Sequence, residues 1–412
     1  MSELLLPAGS LEKMRYAFMY GADACYLGLV DFSLRTMRKG DIITGENLET
    51  AVDFAHSLKK HVYLTLNIFA FDNDIKKLNE SIDTICGAHP DAVIISDFGI
   101  YNIVKNKIQD IDIHISTQTN ILNTEAVKFW RDIGAKRVIL ARELSFKQIE
   151  TIRKNVPDIE IEIFVHGAQC MSYSGRCLLS DYMTGYERRA NQGGCAQPCR
   201  WSYKLLEETR PNEYFEIVQD EKGSHILSAK DLCLVKYLKQ LENIGIDSFK
   251  IEGRTKSLYY VSAVAKAYRM VMDGKISADE GYNELLKAGN RGYTTGFFSG
   301  KNDETSYSYD ISKGLAGADF LGIVQSISND KIKVLIKNKI YINDEFEIIT
   351  PNYSAKAKAV NIINEKRETN EIANTNDIVL IELEAETDEW QKEADYALLR
   401  TTGIKKEKQK CE

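Results

Sequence analysis

The sequence predicts an α/β chain: a (β/α)8 barrel interrupted by a cysteine-bearing insertion, followed by a small C-terminal β-barrel. Three observations point there. Short apolar runs alternate with amphipathic helical stretches through the first 270 residues or so. The alternation breaks once, between the seventh and eighth runs, and from about Ala316 the period becomes that of short alternating strands. An open doubly wound sheet is the second choice for the first region.

The strand candidates run in order as Leu4–Ala8, Ala24–Gly28, Val62–Phe69, Ala92–Phe98, Ile111–Thr117, Arg137–Arg142, Ile159–Val165 and Phe249–Gly253. Runs that are apolar throughout and separated by helices are the mark of parallel strands buried on both faces, and eight of them suit a TIM-like barrel. Between them lie helical patterns such as SLEKMRYAFMYG and NTEAVKFWRDIG, the second with Asn123 placed to cap and Gly134 placed to terminate. After the seventh run, YKLLEE, YFEIVQD and SHILSA read as a small antiparallel insertion. The helix Lys256–Gly274 follows, then the turn-rich NRGYTTGFFSGKND. The closing strands are FLGIVQSI, KIKVLIKN, DEFEIIT, SAKAKAVNII, DIVLIELE and DYALLRTT, six in all, which fits a small barrel or sandwich. The expected division is residues 1–275 for the first barrel with its insertion at about 166–230, 276–315 as a helical linker, and 316–412 as the β-barrel.

With 412 residues and 44% hydrophobic content the chain can bury one large core or two smaller ones. MSELLLPAGSLEKM has neither a basic start nor a long apolar stretch, so no signal peptide is expected, and no apolar run approaches the roughly 18 residues of a membrane span. The expected location is the cytoplasm, where thiols stay reduced. A net charge of −7 argues against a chain that coats nucleic acid non-specifically, yet leaves room for local basic paths. Candidates are Arg188, Arg189 and Arg200, the run Lys331–Lys339 and the tail Lys405–Lys410, although runs of this kind are more often simply a solvated face.

Four of the eight cysteines, Cys170, Cys177, Cys195 and Cys199, share one window with the spacing C-x6-C-x17-C-x3-C. A reducing compartment argues against disulfides. Tetrathiolate zinc sites favour paired C-x2-C turns, which are missing here; an iron–sulfur cube tolerates irregular separations. Spacing alone leaves iron–sulfur and zinc both open, with catalytic thiols third. The ferredoxin and radical-SAM cysteine templates are absent, as are G-x-x-x-x-G-K-[ST], H-E-x-x-H and G-x-S-x-G. Cys25, Cys86 and Cys233 read as packed or near-core thiols, and Cys411 has no assigned role.

The stretch Glu162–Ser180, EIFVHGAQCMSYSGRCLLS, resembles the signature of the collagenase-like peptidase family, peptidase family U-32. Glu162, Phe164, Gly167, Ala168, Cys170, Gly175, Cys177, Leu179 and Ser180 fit it, and Gln169 stands where the pattern has an aliphatic residue. LLLPAGS, GADACYLGL, NQGGCAQPCRWSY, SAKDLCL, FKIEGRTKS and NRGYTTGFF extend the likeness over nearly the whole chain. NQGGCAQPCRWSY, KIEGR and the β-domain resemble the branch of the family that hydroxylates tRNA. That resemblance implies a [4Fe–4S] cluster on Cys170, Cys177, Cys195 and Cys199. It further implies oxygen-independent formation of 5-hydroxyuridine at the wobble position of the tRNA anticodon loop, with prephenate as hydroxyl donor. Relatives acting on rRNA cytidine or a quinone ring, and the peptidase activity of the family name, are the alternatives. Pairing with a second copy or a paralogue is also within the family's habits.

Prephenate carries two carboxylates, which calls for fixed cations, with Arg preferred over Lys. Arg142 and Arg254 end strand candidates, and Arg176 lies between two of the cysteines. Glu252 and Arg254 are expected at the reacting centre, with His166 as acid/base or as a donor to the metal site. Asn67, Gln118 and Glu143, also at strand ends, are candidates for bonding substrate. Tyr173 and Trp201 flank cysteines and suit either base stacking or shielding. The β-domain is expected to bind RNA or to cap the first barrel.

Overall fold

Buried strands need apolar side chains on both faces, and the first half of the chain supplies them. β1 (Glu3–Ala8), β2 (Ala24–Gly28), β3 (His61–Leu66), β4 (Ala92–Ile95), β5 (Asp112–Ile115), β6 (Arg137–Ile139) and β7 (Glu160–Ala168) pair in parallel, each with the next. The eighth strand, β8 (Ser248–Ile251), pairs in parallel with both β7 and β1 and so closes the barrel. In the computed structural model the described residues are 2–29, 32–33, 43–170, 172–173, 176–185, 187–201, 219–220, 223–224, 229–300, 306, 317–328, 331–364 and 366–403. All eight strands expected from the sequence are present, and the (β/α)8 architecture is the one observed.

The helices between strands start where the sequence places caps. Asn123 accepts the Ala126 N–H at 2.9 Å ahead of Thr124–Asp132, and Gly134, at φ +105°, ends that excursion. Asp97 accepts the Gly99 and Ile100 N–H groups before Phe98–Lys107. Each helix turns a narrow apolar stripe inward, such as Val127 and Trp130.

β7 runs three residues beyond its expected end because Gly167–Ala168 find a second partner. The chain returning from the insertion forms Asp231–Cys233, antiparallel to β7, and Tyr293–Thr294 pairs with that. Within the insertion a short hairpin pairs Gln219–Asp220 with Gly223–Ser224; most of YKLLEE, YFEIVQD and SHILSA lies outside the described residues.

Two compact units result. One comprises Met1–Phe18, Ala22–Lys256 and Asn290–Gly314, the other Met19–Gly21, Ser257–Gly289 and Leu315–Glu412. The second holds β9 (Phe320–Ser328), β10 (Lys331–Ile336), β11 (Glu345–Ile349), β12 (Ser354–Ile363), β13 (Ile378–Ala385) and β14 (Leu398–Thr401). They close an antiparallel barrel in the order β11-β14-β9-β10-β13-β12-β11, the six expected strands, around Phe346, Ile348, Val334, Leu399 and Trp390. Lysines of its outer surface face carboxylates across the strands: Lys331 pairs with Glu382 at 2.5 Å, and Lys358 stands opposite both Glu345 and Glu384. Alternation of sign there is that of a solvated sheet.

Candidate active site at the barrel mouth

In parallel barrels the strand C-termini build the reactive face, and here they surround a cavity of about 60 Å³. Its wall includes Arg142, Glu252, Arg254, Asn67 and Gln118, five of the residues singled out from sequence. Tyr26, Thr65, Phe164 and Lys250 complete the part that matters for charge and shape. Three cations thus face one carboxylate.

Both arginines are held by groups of the protein itself. Arg254 is buried and donates through Nη1 to Thr65 Oγ1 at 3.1 Å and to the Ser33 hydroxyl, while Thr65 donates in turn to the Leu27 carbonyl at 2.9 Å. Gly28 makes room for this arrangement, since a Cβ there would overlap the Arg254 guanidinium. Arg142 donates to the Ala168 carbonyl at 2.6 Å, lies 3.9 Å above the centre of the Phe164 ring and is 3.8 Å from Glu252. Gly167 sits at φ +105° where a Cβ would meet the Glu252 carbonyl, so a glycine is required where β7 passes Glu252. The Gln118 Oε1 is buried with no hydrogen-bond partner among the described residues, an acceptor available to a ligand.

Beneath the cavity lies an ionic layer. Lys250 Nζ is 2.7 Å from Glu162 Oε1 and 4.5 Å from the Tyr26 ring centre; Glu162 also meets Arg137 at 3.0 Å, and Arg137 reaches Glu3 at 2.6 Å. Glu162 is fully buried, and burial pushes the Lys250 ammonium below its usual range against the pull of Glu162.

The remaining candidates fall elsewhere. His166 is buried on β7, its ring 5.3 Å from that of Tyr293, and is not part of the cavity wall. Glu143 is partly buried, its carboxyl raised above the usual range by desolvation, and Arg176 is exposed over the Phe69 ring at 5.0 Å; neither lines the cavity. The four clustered thiols are not in disulfides: Cys170 and Cys195 are exposed, Cys177 and Cys199 partly buried. Cys195 Sγ accepts the Gln197 N–H at 3.3 Å, and Arg188 donates to the Cys195 carbonyl at 3.2 Å. Among the described residues no three His, Cys, Asp or Glu side chains converge as a ready metal site. No helix among them is long and apolar enough to cross a membrane.

Burial drives the His166 pKa down to about 3, with the Lys256 charge adding to the effect. An unfolded histidine takes a proton near pH 6.5 that the folded one refuses, so the unfolded state binds more protons between about pH 6.5 and 3. Stability is therefore full above that window and falls by roughly 1.4 kcal/mol per pH unit on acidification through it. His114, lowered by burial as well, acts with the same sign. Denaturant unfolding at about pH 7 and about pH 5 is expected to show the fall, and His166→Asn to remove part of its slope; an unchanged slope would contradict the assignment.

Residues 9–308 match peptidase family U32, and residues 317–394 match the peptidase family U32 C-terminal domain. Tyr26, Lys250 and the layer under it were missed by sequence reasoning; the available signal was the same-face series Glu162, Phe164, His166 and Lys250, Glu252, Arg254, polar at all positions but Phe164. Among curated proteins, the chain is 37% identical to tRNA hydroxylation protein P of Haemophilus influenzae, over 89% of this chain and 90% of that protein. It is 33% identical to the 23S rRNA 5-hydroxycytidine C2501 synthase of Escherichia coli, over 84% of this chain and 52% of that one, and 29% identical to a collagenase of Porphyromonas gingivalis, over 85% and 86%. A solved U32 peptidase aligns with 61% of this chain and 94% of its own at 13% identity and a TM-score of 0.40. Both halves of the sequence being accounted for in this way, the chain belongs to peptidase family U32.

Proposed function

We propose that the chain is a tRNA hydroxylase that converts the wobble uridine to 5-hydroxyuridine without molecular oxygen, with prephenate as hydroxyl donor. The observation that carries this reading is the cationic barrel mouth, Arg142, Lys250 and Arg254 around one small cavity, in a chain alike over most of its length to proteins named for tRNA hydroxylation. Two carboxylates of a small donor suit guanidinium groups whose planes are already fixed by Thr65, Ser33 and Phe164, because little reorganisation is needed on binding. Glu252, near Arg142, and the Gln118 amide are placed to bond the polar edge of a base or the donor's hydroxyl. Reaching C5 of a uracil requires an unpaired nucleotide, which an anticodon loop presents. Hydroxylation oxidises the base by two electrons, and the donor leaves reduced by two as it yields its oxygen.

Cys170, Cys177, Cys195 and Cys199 are the proposed ligands of a [4Fe–4S] cluster. The donor set fits: four thiols outside any disulfide, on irregular chain and short turns rather than on strands that would fix their separation. Such a cluster supplies electron transfer or a Lewis-acidic iron when bound. Peptidase chemistry fits less well, since a general base works best with a pKa near 7 and His166 is held neutral at about 3. The proposed location is the cytoplasm, in keeping with a tRNA substrate, with the chain acting alone or paired with a second copy or a paralogue.

The test is reconstitution. Protein purified without oxygen, given unmodified tRNA and prephenate, is expected to form 5-hydroxyuridine detectable by nucleoside mass spectrometry. Product that forms without prephenate removes it as donor, and cleavage of collagen with no modified nucleoside overturns the reading.

A further inference from the structure

The cysteine-bearing insertion carries several exposed apolar side chains, and two of its arginines lie over rings of the loop that leads from the cavity. Tyr182 is 77% exposed and Leu178 73%, with Tyr173 and Trp201 also exposed. Single exposed apolar residues are ordinary, but a group of them on one short stretch marks an interaction surface. Internal bonds hold that stretch in shape. Ser180 Oγ donates to the Arg188 carbonyl at 2.6 Å and accepts the Ala196 N–H at 2.9 Å, and Asp181 accepts the Ala190 N–H at 3.3 Å. Trp201 is anchored by its indole N–H to the Ala196 carbonyl at 3.2 Å.

The same stretch is tied to the loop that follows β3 and to the first turn of the helix Asp72–Ala88 after it. Arg176 lies 5.0 Å over the Phe69 ring, Arg189 lies 5.5 Å over the Phe71 ring, and Gln192 donates to Asp74 at 3.2 Å. That loop begins at Asn67, which lines the cavity, and its Phe71 is 52% exposed. Rings and cations therefore run from the cavity rim onto the insertion.

We infer that this surface is the docking platform for a single-stranded RNA segment, with bases stacking on Tyr182 and Phe71 and phosphates meeting Arg176 and Arg189. The inference deepens the tRNA reading above and rests on it. The pairing of arginines with rings favours RNA over an apolar protein partner, because it suits phosphates and bases together, in a chain that carries −7 overall. The residues involved are set apart from the reacting centre, so they would fix where the strand lies and leave the chemistry to the cavity.

The experiment measures equilibrium binding of unmodified tRNA to the metal-loaded full chain, with modification followed in parallel. Phe71→Ala combined with Tyr182→Ala is expected to weaken binding about tenfold or more, because each lost stacking ring is felt separately. Arg189→Ala is expected to lower the slope of log affinity against log salt by about one. Colour and melting temperature serve as controls, and both aromatic positions are exposed enough for alanine to leave folding intact. Wild-type protein that binds and modifies tRNA while the double variant binds it equally well overturns the inference alone. So does a double variant with unchanged tRNA affinity that loses self-association, since the surface is then a protein interface. Wild-type protein that neither binds nor modifies tRNA overturns the functional reading itself.

Discussion

Cys195→Ala is expected to abolish tRNA hydroxylation and to bleach the anaerobically purified protein, with no loss of fold. A cubane cluster on thiolates absorbs broadly near ~400 nm and needs each of its ligands to stay at full occupancy. Cys195 is exposed and its sulfur accepts the Gln197 N–H at 3.3 Å, so alanine removes little packing. Exposed substitutions of this kind stay within about 0.5 kcal/mol of neutral. The contrast is Cys233, which is buried beside β7; Cys233→Ala is expected to lower stability by about 1 kcal/mol yet keep colour and activity. Absorbance, iron content, melting temperature and nucleoside analysis on the two variants separate a ligand from a packed thiol. A colourless Cys195→Ala protein that still hydroxylates tRNA overturns the cluster's role, and a wild-type protein that is colourless and zinc-loaded without oxygen overturns the cluster itself.

Barrel strands such as LLLPA and AVII were legible because parallel strands covered on both faces are written as apolar runs, while β5 to β8 kept enough β-branched and apolar residues to be recognised around the buried His114, Arg137, Glu162 and Lys250. The six C-terminal strands were legible by the opposite signal: β10 alternates buried Ile332, Val334 and Ile336 with more exposed Lys331 and Lys333. Arg142, Arg254, Asn67 and Gln118 were found because polar residues just past a barrel strand face the mouth. What could not be read was pairing over long sequence separations. Lys250 meets Glu162 because β8 closes against β7, and Arg254 reaches Ser33 and Thr65 across β1 and β2. The extra strand Asp231–Cys233 was missed for a related reason: DLC is too short to carry a period, and its partner Gly167–Ala168 is itself the tail of another strand. His166 reads from sequence as lying just past a strand end, and the longer β7 takes it inside instead, where burial lowers its pKa.

Glu162→Ala carries the largest expected effect on stability. The carboxylate is fully buried and joins Lys250 at 2.7 Å to Arg137 at 3.0 Å. Removing it strips the nearest counter-charge from a buried ammonium, whereas Arg137 keeps Glu3 and Glu160. Breaking one side of a buried pair destabilises by about 3–5 kcal/mol, chiefly through the charge left behind. For a unit of this size that is a drop in melting temperature on the order of 10 °C. The pair as a whole is a different matter, because taking both charges out of water offsets much of their attraction. Glu162→Leu with Lys250→Met is therefore expected to recover most of the lost stability, and the double-mutant cycle to show strong coupling. Activity separates the two roles of the layer. Lys250 forms part of the cavity wall, so the stable double variant is expected to bind the anionic donor more weakly, with a raised KM, although it melts near wild type. Equal destabilisation by the single and double variants would mean that packing, not the buried charge, holds this layer together. A double variant with wild-type KM would take Lys250 out of donor binding and leave the two arginines to hold the carboxylates alone.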